Sequence, residues 1–122
     1  MKYELAAKLK AAGFPQPYDE SVGRRGWYYV GNGDYRVTLA AARQMLTGEG
    51  LLPVYDKMLT YIPKLEEVIG WCRKKFYRLT QVGLDTWVAT GFMKEGDTET
   101  VSVRAIDAEE AVAELAILIN KQ

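Results

Sequence analysis

Apolar side chains recur at helical spacing towards both ends of the chain and follow strand-like patterns between them. Leu5 and Leu9 lie one turn apart with Ala6 on the same face, which predicts a short helix over residues 2–12. Gly13 stands where a left-handed cap belongs, and Phe14-Pro15-Gln16-Pro17 stops the helix from continuing. Trp27-Tyr28-Tyr29-Val30 and Tyr35-Arg36-Val37 flank Gly31-Asn32-Gly33-Asp34. Asn-Gly between two such runs predicts a β-hairpin, because both residues tolerate positive φ. Thr38 is placed to cap an alanine-rich helix over residues 39–46, closed by Gly48. Residues 49–62 read as an extended connection, since Pro53 and Pro63 disfavour helix in the residues before them.

The second half has a clearer pattern. Leu65, Val68, Ile69 and Cys72 form an i, i+3, i+4, i+7 stripe, the mark of an amphipathic helix after Pro63. Strands are predicted over residues 76–82, 86–93 and 98–106, separated by turns at Gly83-Leu84-Asp85 and Lys94-Glu95-Gly96-Asp97. Val101, Val103 and Ala105 share one face of the third. Asp107 is a good N-cap, with Glu110 three residues on, for a helix over residues 108–120. That helix puts Ala108, Ala111, Val112, Leu115, Leu118 and Ile119 on one side. This order predicts a single α+β domain over residues 1–122. It is a two-layer arrangement, with a three-stranded antiparallel meander carrying helices on one face. The amino-terminal hairpin either extends that sheet or forms a small one of its own.

Composition narrows the function. The chain has 122 residues, 48% hydrophobic and 26% charged, enough for one compact core without disulfide or metal staples. Its longest apolar run, Ala111 to Ile119, is short and contains Glu114, so no spanning helix and no membrane partner is expected. The first residues show no secretory pattern, and a lone Cys72 has no internal partner, so the cytoplasm is the expected location. Histidine is absent, which removes the commonest acid–base side chain and metal ligand.

What remains offers little for catalysis. Ser21 and Ser102 have no histidine to activate them, and Cys72 falls on the apolar helix stripe, where a thiol packs rather than reacts. Glu66-Glu67 and Glu109-Glu110 are adjacent on helices, so their side chains diverge, and each pair sits where it favours a helix dipole. No calcium-loop spacing appears, and Gly23-Arg24-Arg25-Gly26 and Gly31-Asn32-Gly33 lack the context of a phosphate loop. No enzyme, cofactor or metal site is expected.

Charge is more informative. Trp71-Cys72-Arg73-Lys74-Lys75-Phe76-Tyr77-Arg78 holds four cations, no anion and interleaved aromatics. Residues 1–93 carry 13 basic and 9 acidic groups and residues 94–122 carry 3 and 7, so the zero net charge hides +4 against −4. Arg73, Lys74, Lys75 and Arg78 could therefore neutralise phosphates while rings stack on bases. The plainer reading is that the cations favour a helix C-terminus. Separately, Trp27, Tyr29 and Tyr35 would offer a protein partner the amphipathic rings that interfaces favour, or else would pack within the sheet.

The segments Ala11-Ala12-Gly13-Phe14-Pro15-Gln16-Pro17, Tyr61-Ile62-Pro63-Lys64-Leu65-Glu66-Glu67-Val68-Ile69, the strand Trp87 and Asp107 to Leu115 together resemble a group of small phage and prophage proteins. That group usually has Thr or Ser directly after the proline, where this chain has Lys64, and residues 38–58 match poorly. The resemblance implies a phage-derived accessory protein of unassigned activity. The first expectation is a non-enzymatic protein-interaction module contacting an unidentified partner or its own copy through Trp27, Tyr29 and Tyr35. The alternative is nucleic-acid binding through residues 71–78.

Overall fold

The computed structural model describes residues 1–18, 26–45 and 57–121. The single domain expected over 1–122 is built as two compact units, Lys2–Pro63, and Lys64–Gln122 together with Met1. Each contains helices and one three-stranded antiparallel sheet, so the fold is α+β.

The first unit runs α1 (Tyr3–Ala11), β1 (Trp27–Val30), β2 (Tyr35–Val37), α2 (Leu39–Met45) and β3 (Leu59–Ile62). Leu5, Ala6 and Leu9 are the buried face of α1, as their spacing predicts. The helix ends where Gly13 turns to φ +97° and the Phe14 amide donates to the Leu9 carbonyl at 2.9 Å. The hairpin forms, with Val30 opposite Tyr35, but positive φ falls on Gly31 and Gly33 and not on Asn32. Gly33 is irreplaceable on space as well, since a Cβ there would stand 2.5 Å from Tyr3 Cγ. Thr38 caps α2 through its hydroxyl, which accepts from the Ala41 amide at 3.2 Å.

The hairpin does not extend the second-half meander. It forms its own sheet in the order β2-β1-β3. β3 corrects the expectation of an extended connection over 49–62: Leu59–Ile62 pairs antiparallel with Trp27–Val30, and Lys57 and Met58 before it are helical. Residues 49–56, the helix end expected at Leu46 and Gly48, and Gly23-Arg24-Arg25 lie outside the described residues.

The second unit runs α3 (Leu65–Cys72), a 3₁₀ turn (Arg73–Lys75), β4 (Phe76–Gly83), β5 (Thr86–Gly91), β6 (Val101–Ala105) and α4 (Ala108–Ile119). Its sheet is the predicted meander, β4-β5-β6. The third strand starts at Val101 rather than 98, and the second ends at Gly91 rather than 93. Lys64 begins α3 without a side-chain cap. Its carbonyl accepts from the Glu67 amide at 3.0 Å, and the Glu67 carboxylate reaches back to the Lys64 amide at 2.9 Å. One half of a capping box is therefore present without a Thr or Ser at the N-cap. Asp107 caps α4 by accepting from the Glu110 amide at 2.7 Å. Val112, Leu115 and Ile119 are buried, and α4 packs against β5, β6 and α3. Gly91 lets this layer close up: a Cβ there would lie 2.6 Å from the Lys75 carbonyl oxygen and 3.0 Å from Ile119 Cδ1.

Candidate nucleic-acid interface

The three rings expected at a protein contact are not brought together. Trp27 is exposed, but Tyr29, two residues on, is buried: Tyr3 meets its ring edge-on at 5.5 Å and the Arg36 guanidinium lies 5.2 Å from its centroid. Tyr35 is exposed opposite Val30, on the sheet face that alternation separates from Trp27 and Tyr29. That second face belongs to Tyr28 and Tyr61, whose centroids are 5.3 Å apart, with Tyr18 stacked on Tyr28. The Tyr28 hydroxyl donates to the Pro17 carbonyl. Much of the aromatic content of this unit is thus packing, with each sheet face served by different rings.

The second sheet differs. Ala89 is fully buried and Gly91 backs onto Leu115 and Ile119, so this side of β5 faces the helices. Alternation then sends Val88 and Thr90 to the other face. Register sets two rows across it, Arg78–Thr90–Ser102 and Thr80–Val88–Arg104. Arg78, Thr80, Ser102 and Arg104 are exposed, and the Thr90 and Ser102 hydroxyls are hydrogen-bonded at 3.1 Å. The three strands contain two arginines and no carboxylate. Strand spacing and rise put the arginine Cα atoms roughly 12 Å apart diagonally.

A bulge aims Arg78 outward. Phe76 pairs with Gly91 and Arg78 with Thr90, leaving Tyr77 as the extra residue. Strict alternation would put Phe76 and Arg78 on one face; the bulge lets Phe76 face the helices while Arg78 faces away. Tyr77 is 57% exposed, meets Phe92 edge-on at 5.8 Å, and has the Arg78 guanidinium 5.6 Å from its centroid. An exposed ring beside a cation is a surface on which a base can stack.

The turn before β4 adds the remaining cations. Arg73 and Lys74 are exposed and Lys75 is half-buried. Arg73 has φ +57° and ψ −138°, a conformation that costs a side-chain-bearing residue about 1–3 kcal/mol. At its other positive-φ positions, Gly13, Gly31, Gly33 and Gly96, the described chain uses glycine. Arg73 is the exception. None of Arg73, Lys74, Lys75, Arg78 and Arg104 forms an ion pair among the described residues.

The acidic groups are largely segregated from this face. Glu66, Glu67, Glu109, Glu110 and Glu114 ride on α3 and α4 in the helical layer, while Glu95, Asp97 and Glu99 occupy the β5–β6 loop. Arg104 is the lone cation among the acids of residues 95–114, so charge counting along the sequence does not join it to the basic cluster. The inward Val101, Val103 and Ala105 pattern was the signal that could have found it, since it turns Arg104 outward.

Cys72 is buried, its thiol lies 3.6 Å from the Val68 carbonyl, and burial pushes it up to about 11 against a smaller opposing pull from Lys75. Among the described residues, no three of His, Cys, Asp and Glu stand close enough to share a metal ion, and no helix is long and apolar enough to cross a membrane. No protein-family model, no curated protein and no solved structure matches this chain.

Proposed function

We propose that the chain binds single-stranded nucleic acid on the open face of its second sheet. The observation that carries this reading is the convergence of Arg78, Arg104 and the exposed Tyr77 ring on a sheet without carboxylates. Arg78 and Arg104 would neutralise phosphates, and a separation of roughly 12 Å suits about three to four nucleotides at the rise of a stacked strand. Tyr77 would stack on one base, while Arg73, Lys74 and Lys75 would extend the phosphate track beyond the edge of the sheet. Repulsion of phosphate by the acidic 95–114 stretch argues against this reading. The helical-layer position of Glu109, Glu110 and Glu114 weakens it.

Titrating a labelled single-stranded oligonucleotide at two salt concentrations tests the proposal. Affinity should fall steeply with salt, and Arg78→Ala with Arg104→Ala should flatten the log–log slope by about 1.4. Tyr77→Ala should weaken binding about 10-fold and leave the slope unchanged, because stacking releases no counterions. Binding indifferent to salt, or a double-arginine variant as tight as the parent, would overturn the reading.

The protein-interaction reading has less behind it, since Trp27 and Tyr35 are exposed on opposite faces and Tyr29 is buried. A phage or prophage origin rests on the sequence resemblance alone, and a cytoplasmic location on the lone cysteine.

A further inference from the structure

The two sheets present four edge strands, and the chain treats one unlike the others. β2 has three residues, β3 four and β6 five, so each offers another strand less to pair with than the eight of β4. β3 is also covered by side chains. Gln16 accepts from the Tyr61 amide at 2.9 Å, and the Leu59 carbonyl takes donors from Lys10 at 2.8 Å and Tyr18 at 3.2 Å. β4 has eight residues and no such cover. Among the described residues, no backbone group of 77–82 is hydrogen-bonded outside the ladder with β5. The strand contains no lysine, proline or inward-pointing charge; Arg78 and the bulges at its two ends are the devices against edge pairing that it does carry. Tyr77, Arg78, Thr80, Gln81 and Val82 are all exposed along it.

We infer that β4 pairs antiparallel with β4 of a second copy, joining two three-stranded sheets into one of six strands. A second copy fits this edge by symmetry, because a two-fold axis perpendicular to the sheet lets the same strand serve as both partners. Bulges at both ends leave Arg78–Gln81 as the regular stretch, which confines the register. That axis keeps paired residues on the same face, so a residue must meet itself or one an even number of positions away. Centring on Leu79 places the two half-buried Leu79 side chains together on the helix side. On the open face, Arg78 of each copy then lies opposite Thr80 of its partner. The two open faces become one continuous surface.

The register gives the test a sign. Sedimentation of the full chain over a concentration series, without oligonucleotide, should show a monomer–dimer equilibrium. Thr80→Lys sets a cation opposite the partner's arginine and should weaken the dimer ~5-fold or more; Thr80→Glu should tighten it by a similar factor. Both substitutions are at an exposed site, and circular dichroism should show both variants folded. Hydrogen exchange in the parent protein should slow with concentration across 77–82. A protein that stays monomeric up to ~1 mM, well above the dissociation constant of a specific dimer, would overturn the inference. So would Thr80 variants that shift the equilibrium alike, or protection that rises elsewhere instead. Since no nucleic acid is present, failure here leaves the binding proposal untouched.

Discussion

The two sheets are built from the same number of antiparallel strands, yet they use their faces differently. In the first, alternate positions carry Tyr28 and Tyr61 one way and Tyr29 the other, and each of these rings meets another ring within its unit. Even the β3 edge is closed by Gln16, Lys10 and Tyr18. In the second, Ala89 and Gly91 give one face to α4, while Arg78, Thr80, Ser102 and Arg104 turn the other to solvent. Aromatic content alone does not distinguish a contact surface from a core. What decides is whether another element of the same unit already occupies the ring, and in the first unit it largely does.

The largest expected effect tests that distinction directly. Tyr29→Ser removes a buried ring together with its contacts to Tyr3 and Arg36 and should cost about 3 kcal/mol. Trp27→Ser, two residues away with 52% of its surface exposed, should cost less than about 1 kcal/mol. Urea unfolding of the two single variants measures both. Equal costs would mean that the two rings are not divided into core and surface as described.

Local signals carried most of the fold. The stripe Leu65, Val68, Ile69 and Cys72, the Asp107 cap and the Asn-Gly hairpin are each encoded within a few residues, and each produced its element. β3 was not legible, because four residues beside Pro63 carry too little pattern and their partner β1 lies about thirty positions earlier. The candidate site was half legible for a related reason. Charge density pointed to Arg73, Lys74, Lys75 and Arg78, but Arg104 joins them only through strand register. The bulge at Tyr77, which turns Arg78 outward, leaves no local mark in the sequence.

Arg73 sharpens the comparison, because it sets backbone comfort against side-chain use. Gly33 in the first unit and Arg73 in the second both occupy positive φ, but only Gly33 suits it. Arg73→Gly relieves strain and adds some unfolded-chain entropy, for a net gain of about 1 kcal/mol in stability. The same variant should flatten the salt dependence of oligonucleotide binding by about 0.7, the share of a single phosphate contact on a single strand. A more stable protein that binds less well is the expected pair of results. If binding is unchanged, the strained conformation serves no phosphate contact.

Cys72 provides a pH-dependent effect, at the point where the chain passes from the buried stripe of α3 to the exposed basic turn. Its thiol is held at about 11 chiefly by burial, against an ordinary value of 9.0, with Lys75 pulling weakly the other way. Below pH 9 the thiol is protonated in both folded and unfolded chains, and its full packing contribution is present. As pH rises from 9 towards 11 the unfolded chain ionises first, so that contribution is progressively lost. Cys72→Ala lacks the titrating group and should therefore cost less at alkaline pH than its roughly 1–2 kcal/mol penalty at pH 7. Denaturant unfolding of parent and variant at pH 8 and pH 10.5 isolates this term, because the two proteins differ only at position 72. A penalty that stays constant or grows across that interval would mean that Cys72 is ionised in the folded state. The inward side of the α3 boundary would then be as open to water as the basic turn that follows it.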